Sequence, residues 1–76
     1  MEVKRRTLVR ILRAHGVYET ARGKGSHTLW ELRDQEGRVV GTTTVPGYRG
    51  IDELLWRKIE KDLSTQLGAR WLRDAL

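Results

Sequence analysis

Residues 26–46 read "SHTLWELRDQEGRVVGTTTVP", and the fold turns on them. From about residue 26 to 33 the side chains alternate, with Thr28, Trp30 and Leu32 on one side and His27, Leu29 and Glu31 on the other, the period-2 pattern of a half-buried strand. "RDQEGR" follows as a polar turn, and "RVVGTTTVP" reads as a second strand, rich in Val and Thr and closed by Pro46, the only proline in the chain. Upstream, residues 17–22 suggest a further short strand. Three short strands separated by tight connections predict an antiparallel sheet.

The flanking segments carry the helical period. Over residues 4–15, Leu8, Ile11 and Leu12 share one face, while Arg6, Arg10 and Arg13 recur on the opposite face at spacings of four and three. Gly16 follows as a stop. In "IDELLWRKIEKDLSTQLG" the stripe Leu55, Trp56, Ile59, Leu63 and Leu67 predicts one continuous helix ending at Gly68, with Asp52 and Glu53 complementing its dipole. "ARWLRDAL" predicts a short extra helix or a docked tail, with Trp71 and Leu72 packing back on the body. The order α-β-β-β-α describes a two-layer α+β domain: two helices on one face of a three-stranded antiparallel sheet. If Trp30 is core, His27 belongs to the open sheet face.

Composition narrows the function classes. A chain of 76 residues has room for a single domain, here taken as 1–76, and for no large internal cavity. It has no Cys, so a disulfide framework or thiolate metal site is excluded. No long apolar run or hydrophobic signal core is present, so the expectation is a soluble cytoplasmic protein with no membrane association. The net charge of +5 is unevenly placed. Residues 1–24 hold seven basic and two acidic side chains, whereas residues 25–76 hold eight of each. A localised positive field fits RNA or an acidic protein partner.

Within "ARGKGSHTLW", Gly23 and Gly25 flank Lys24, where backbone amides approach a phosphate without Cβ obstruction. Arg22 and Lys24 add charge, Ser26 adds a hydroxyl donor, and His27 adds an imidazole suited to proton transfer at neutral pH. Arg22 and Lys24 are also expected to disfavour the imidazolium and keep His27 a neutral base. Gly23-x-Gly25 is no dinucleotide fingerprint, because the third Gly is missing and a strand follows it. No His and carboxylate pair has zinc spacing, so neither metal nor cofactor is expected. His15, in the last helical turn, reads as structural, and Trp30, Trp56 and Trp71 read as core. Tyr48, just after Pro46, is the candidate for an exposed stacking or partner contact.

With the helix ending in "RAHGV", then "RGKGSHTLW", the turn "DQEGR" and the strand ending in "TTTVP", the chain resembles the HicA family of toxin–antitoxin toxins over roughly residues 4–67. Beyond Pro46 it departs from the family pattern, which continues with a His and a Pro-containing lead into a short last helix, and it adds "ARWLRDAL". The resemblance implies a double-stranded-RNA-binding-domain-like fold and metal-independent endonucleolytic cleavage of mRNA. By position, it also implies His27 as the catalytic residue and a HicB-like antitoxin protein as inhibitor. In this reading Arg22, Gly23, Lys24, Gly25 and Ser26, with Arg6, Arg10, Arg13 and Tyr48, hold the RNA. The alternative is a non-catalytic RNA-binding or protein-interaction domain of the same fold. A pure duplex-RNA binder is disfavoured by Asp52-Glu53, which would repel phosphate at the start of the last helix.

Overall fold

The computed structural model describes residues 1–20 and 25–76. Its elements are β1 (Val3–Lys4), α1 (Arg5–Ala14), β2 (Val17–Glu19), β3 (Thr28–Arg33), β4 (Val39–Val45), β5 (Gly50–Ile51), α2 (Glu53–Asp62), α3 (Ser64–Leu67) and a closing 3₁₀ turn at Arg73–Ala75. The expected α+β order of helix, three antiparallel strands and helix is present. β2, β3 and β4 are hydrogen-bonded in that order, with Val17 opposite Leu32 and Trp30 opposite both Glu19 and Thr43. In the β3–β4 turn, the Asp34 carboxylate accepts from the amides of Glu36 and Arg38, each at 2.9 Å.

One sheet face is buried and the other is wet. Val17, Trp30, Leu32, Thr43 and Val45 are buried together with Leu8, Ile11 and Leu12 of α1 and Trp56 and Ile59 of α2, whereas Tyr18, Thr42 and Thr44 are exposed. Each large apolar side chain so buried stabilises the fold by roughly 1.5–3 kcal/mol. All three Trp residues belong to this core, as expected. No described helix is long and apolar enough to cross a membrane.

Three features differ from the sequence expectation. First, Lys4 is strand rather than helix: Val3 pairs with Ile51 and Lys4 with Gly50, so β1 and β5 form a second, two-stranded sheet that ties the start of α1 to the lead into α2. A two-residue strand has too few positions to show a period.

Second, the last helix is not continuous. It breaks at Leu63, whose backbone departs from helical values (φ −112°, ψ 9°), and resumes as α3. The cause is packing. Leu63 is buried against Gly41 of β4, where a Cβ would lie 2.9 Å from Leu63 Cδ2, so the chain bends to seat this leucine. Ser64 then donates its hydroxyl to the Lys61 carbonyl at 2.8 Å.

Third, the first strand of the sheet ends at Glu19, although the Thr20 amide still donates to Leu29 at 2.8 Å. The remainder of its expected span, residues 21 and 22, lies outside the described residues.

The tail docks as anticipated. Trp71 and Leu72 are buried, and Trp71 Nε1 donates to the Glu60 carbonyl at 2.8 Å. The Glu60 side chain, only 3% exposed, accepts from the Arg73 amide and from its guanidinium, each at 2.9 Å.

Candidate nucleic-acid interface

An open groove of about 930 Å³ runs between α1 and residues 47–50. Its α1 wall carries Arg6, Arg10 and Arg13, because residues spaced four and three apart share one helical face. Its opposite wall is built by Gly47, Tyr48, Arg49 and Gly50, and Glu2 and Lys4 of the N-terminal segment also line it. Among the described residues, no carboxylate lies within ion-pair distance of Arg6, Arg10, Arg13 or Arg49. Arg13 alone makes a ring contact, its guanidinium carbon 5.8 Å from the centroid of Trp30. With Glu2 as its one acidic lining residue against Lys4 and five arginines, the groove is a predominantly positive surface, matched to a polyanion.

Arg5 holds the two walls in register. Its backbone amide donates to the Arg49 carbonyl at 2.8 Å. Its guanidinium donates to the Pro46 carbonyl at 2.9 Å and to the Thr28 hydroxyl at 3.3 Å. Thr28 in turn accepts from Trp30 Nε1 at 2.9 Å, which connects the groove wall to the core. Gly47 completes the junction. A Cβ there would come within 2.5 Å of the Ser26 carbonyl oxygen, so only glycine lets the 46–50 loop lie directly on the segment that carries His27.

His27 is exposed immediately before β3, on the open side of the sheet as expected. It does not line the groove itself. Its ring meets Tyr48, which does, with centroids 6.0 Å apart and planes at 81°. The Ser26 hydroxyl lies 3.4 Å from His27 Nδ1, a long contact that leaves Nε2 directed elsewhere. Gly25 is exposed with φ +56°. Arg22, Gly23 and Lys24 lie outside the described residues, so the phosphate-cradling role expected of them is not part of this geometry. His15 behaves as a structural residue: its Nδ1 is 2.9 Å from the Ile11 carbonyl and its ring packs edge-on against Trp71 at 5.2 Å.

The structure thus brings together Arg6, Arg10, Arg13 and Tyr48 in one groove, with Ser26 and His27 beside Tyr48. It adds Arg5, Gly47 and Arg49, which sequence reasoning did not single out. Arg49 sits in the half of the chain whose charges cancel, so bookkeeping by segment hid it. The one available signal was its place next to Tyr48 in "PGYRG". At the other end of that loop, Asp52 is absorbed as the cap of α2, accepting from the Leu55 amide at 3.0 Å, and Glu53 pairs with Arg57 at 2.7 Å.

Comparison with known proteins bears on the family of the chain. No curated protein and no solved structure matches the chain. A family model does: that of the HicA toxin of bacterial toxin–antitoxin systems matches residues 5–68 of the 76, through the segment after Pro46 that departs from the usual pattern. A match over most of the chain, on a fold with the expected order of elements, means that this protein belongs to the HicA toxin family.

Proposed function

We propose that this family member is an mRNA-cleaving endoribonuclease that acts without a metal ion, is restrained by a HicB-like antitoxin and works in the cytoplasm. The observation that carries the reading is the exposed imidazole of His27 at the edge of an unpaired arginine groove, in contact with a residue of that groove. RNA supplies its own nucleophile. His27 takes the proton of a 2′-hydroxyl, the 2′-oxygen bonds to the adjacent phosphorus, and the bond to the 5′-oxygen breaks. That oxygen leaves with a proton returned by the imidazolium, giving a 2′,3′-cyclic phosphate and a 5′-hydroxyl. Arg6, Arg10 and Arg13 hold the strand by its phosphates, and the field of the groove stabilises the charge gathering on the phosphorane. Ser26 orients the ring through Nδ1.

The test is cleavage of an RNA transcript by wild type and His27→Ala in EDTA, with circular dichroism to confirm that both are folded. Loss of roughly 10²–10⁴-fold in rate, the usual contribution of a positioned acid–base group, is the expected result. Undiminished cleavage by a nuclease-free His27→Ala preparation sinks the catalytic assignment. No cleavage by either protein, with RNA still bound, favours a binding domain of the same fold.

A further inference from the structure

We infer that Tyr48 is a stacking platform for an unpaired nucleobase, so that the groove selects single-stranded RNA over duplex. The inference rests on the RNA reading above and adds to it the class of RNA. Tyr48 is 56% exposed and, unlike the similarly exposed Tyr18, lines the arginine groove. It is also held in place from both sides. Arg5 binds the carbonyl of Pro46 on one side and that of Arg49 on the other, and Gly47 is pressed against Ser26. A side chain carried on a backbone anchored in this way leaves little main-chain freedom to lose when a ligand arrives.

The edge-to-face contact with His27 engages at most one face of the exposed Tyr48 ring. Tyr48, Arg6 and Arg10 line the same cavity. An aromatic plane beside a row of cations matches the alternation of base and phosphate along a single strand. In an A-form duplex both faces of every base are already occupied by neighbours, and its deep, narrow major groove excludes the side chain.

Fluorescence anisotropy with a short 2′-O-methyl RNA, whose nucleophile is capped so that it survives, tests this with the strand alone and annealed to its complement. Tyr48→Ala is expected to weaken single-strand binding by roughly ten-fold or more while changing duplex binding by less than about two-fold, and Tyr48→Phe is expected to keep the wild-type affinity. Placing an abasic site in the strand should remove most of the Tyr48→Ala penalty. Equal losses in the Phe and Ala variants would move the role to the phenol hydroxyl and overturn the stacking assignment, as would equal losses for strand and duplex. Wild-type binding that ignores Tyr48 altogether overturns this inference and leaves the RNA reading standing. Failure of wild type to bind either RNA at low salt overturns the RNA reading itself.

Discussion

Arg6, Arg10 and Arg13 on α1 carry the same guanidinium as Arg57, Arg70 and Arg73 in the C-terminal third, yet the fold gives the two sets opposite surroundings. Each of the latter has a carboxylate within reach: Glu53 at 2.7 Å, Asp74 at 3.4 Å and Glu60 at 2.9 Å. Among the described residues none of the former does, and they share their groove with Lys4 and Arg49. The first turn of α1 contains no acid, so Arg6 and Arg10 face each other across one helical turn without relief. Such a like-charge row costs a few tenths of a kcal/mol per pair and does nothing for the isolated fold. In the C-terminal third these arginines are met by carboxylates of their own chain, the Glu60 of the Arg73 pair being buried, whereas on α1 the charge is left available for a ligand.

The sharpest way to break this contrast is to attack the self-neutralised side. Trp71→Ala removes a buried indole and its bond to Glu60, and is expected to cost about 3–5 kcal/mol, a large part of the stability of so small a domain. Thermal unfolding followed by circular dichroism checks it, and a loss below about 1 kcal/mol would show that the tail is dispensable.

Glu60→Gln comes next, at roughly 1.5–3 kcal/mol, because it weakens charge-assisted bonds in a buried place. Burial alone would raise the Glu60 pKa, but the amide and guanidinium of Arg73, with the Leu72 amide, outweigh it and hold the carboxyl below its ordinary value. A carboxyl depressed in the folded state contributes stability above its unfolded pKa, and that contribution is lost as pH falls through the lower folded value. Wild type is therefore expected to lose stability in acid more steeply than Glu60→Gln, as read from denaturant midpoints across a pH series.

Replacing Arg6, Arg10 and Arg13 together with Gln should do the reverse. Stability should stay within about 0.5 kcal/mol of wild type. The slope of log affinity against log salt for single-stranded RNA should flatten by up to about 2, since each lost phosphate contact removes roughly 0.7. An unchanged slope would mean that the strand avoids this face. The smallest effect belongs to Arg38→Gln, whose partners Asp34 and Glu36 sit with it on an exposed turn. Less than about 0.5 kcal/mol is expected in the same unfolding assay. A larger loss would mean that exposed pairs matter more here than the comparison supposes.

Much of this was legible before any coordinates. Alternation around Trp30 put that residue inside and His27 outside, and the spacing of Arg6, Arg10 and Arg13 made one stripe, because both follow from the geometry of a single strand or helix. Trp30 and Trp56 read correctly as core for the same reason, and Trp71 as part of a tail that packs back on the body. The break at Leu63 was not legible: the stripe from Leu55 to Leu67 keeps helical period throughout, and the bend arises from Leu63 seating against Gly41, a contact 22 residues away in the chain. Nor was the β1–β5 pair, whose two strands are 46 residues apart and too short for a pattern.

The sequence by itself determined the order of the first helix, the three sheet strands and the last helix, the face each helix buries and the membership in the HicA toxin family, since these depend on local period and on residues in line. Only the tertiary structure decided that the strip after Pro46 folds back over the His27 segment, that Arg5 fastens it there, and that Arg49 joins the α1 arginines while its neighbour Asp52 caps a helix. Those are relations between distant stretches. They are set by long-range hydrogen bonds and by the space a missing Cβ leaves at Gly47, which no local period encodes.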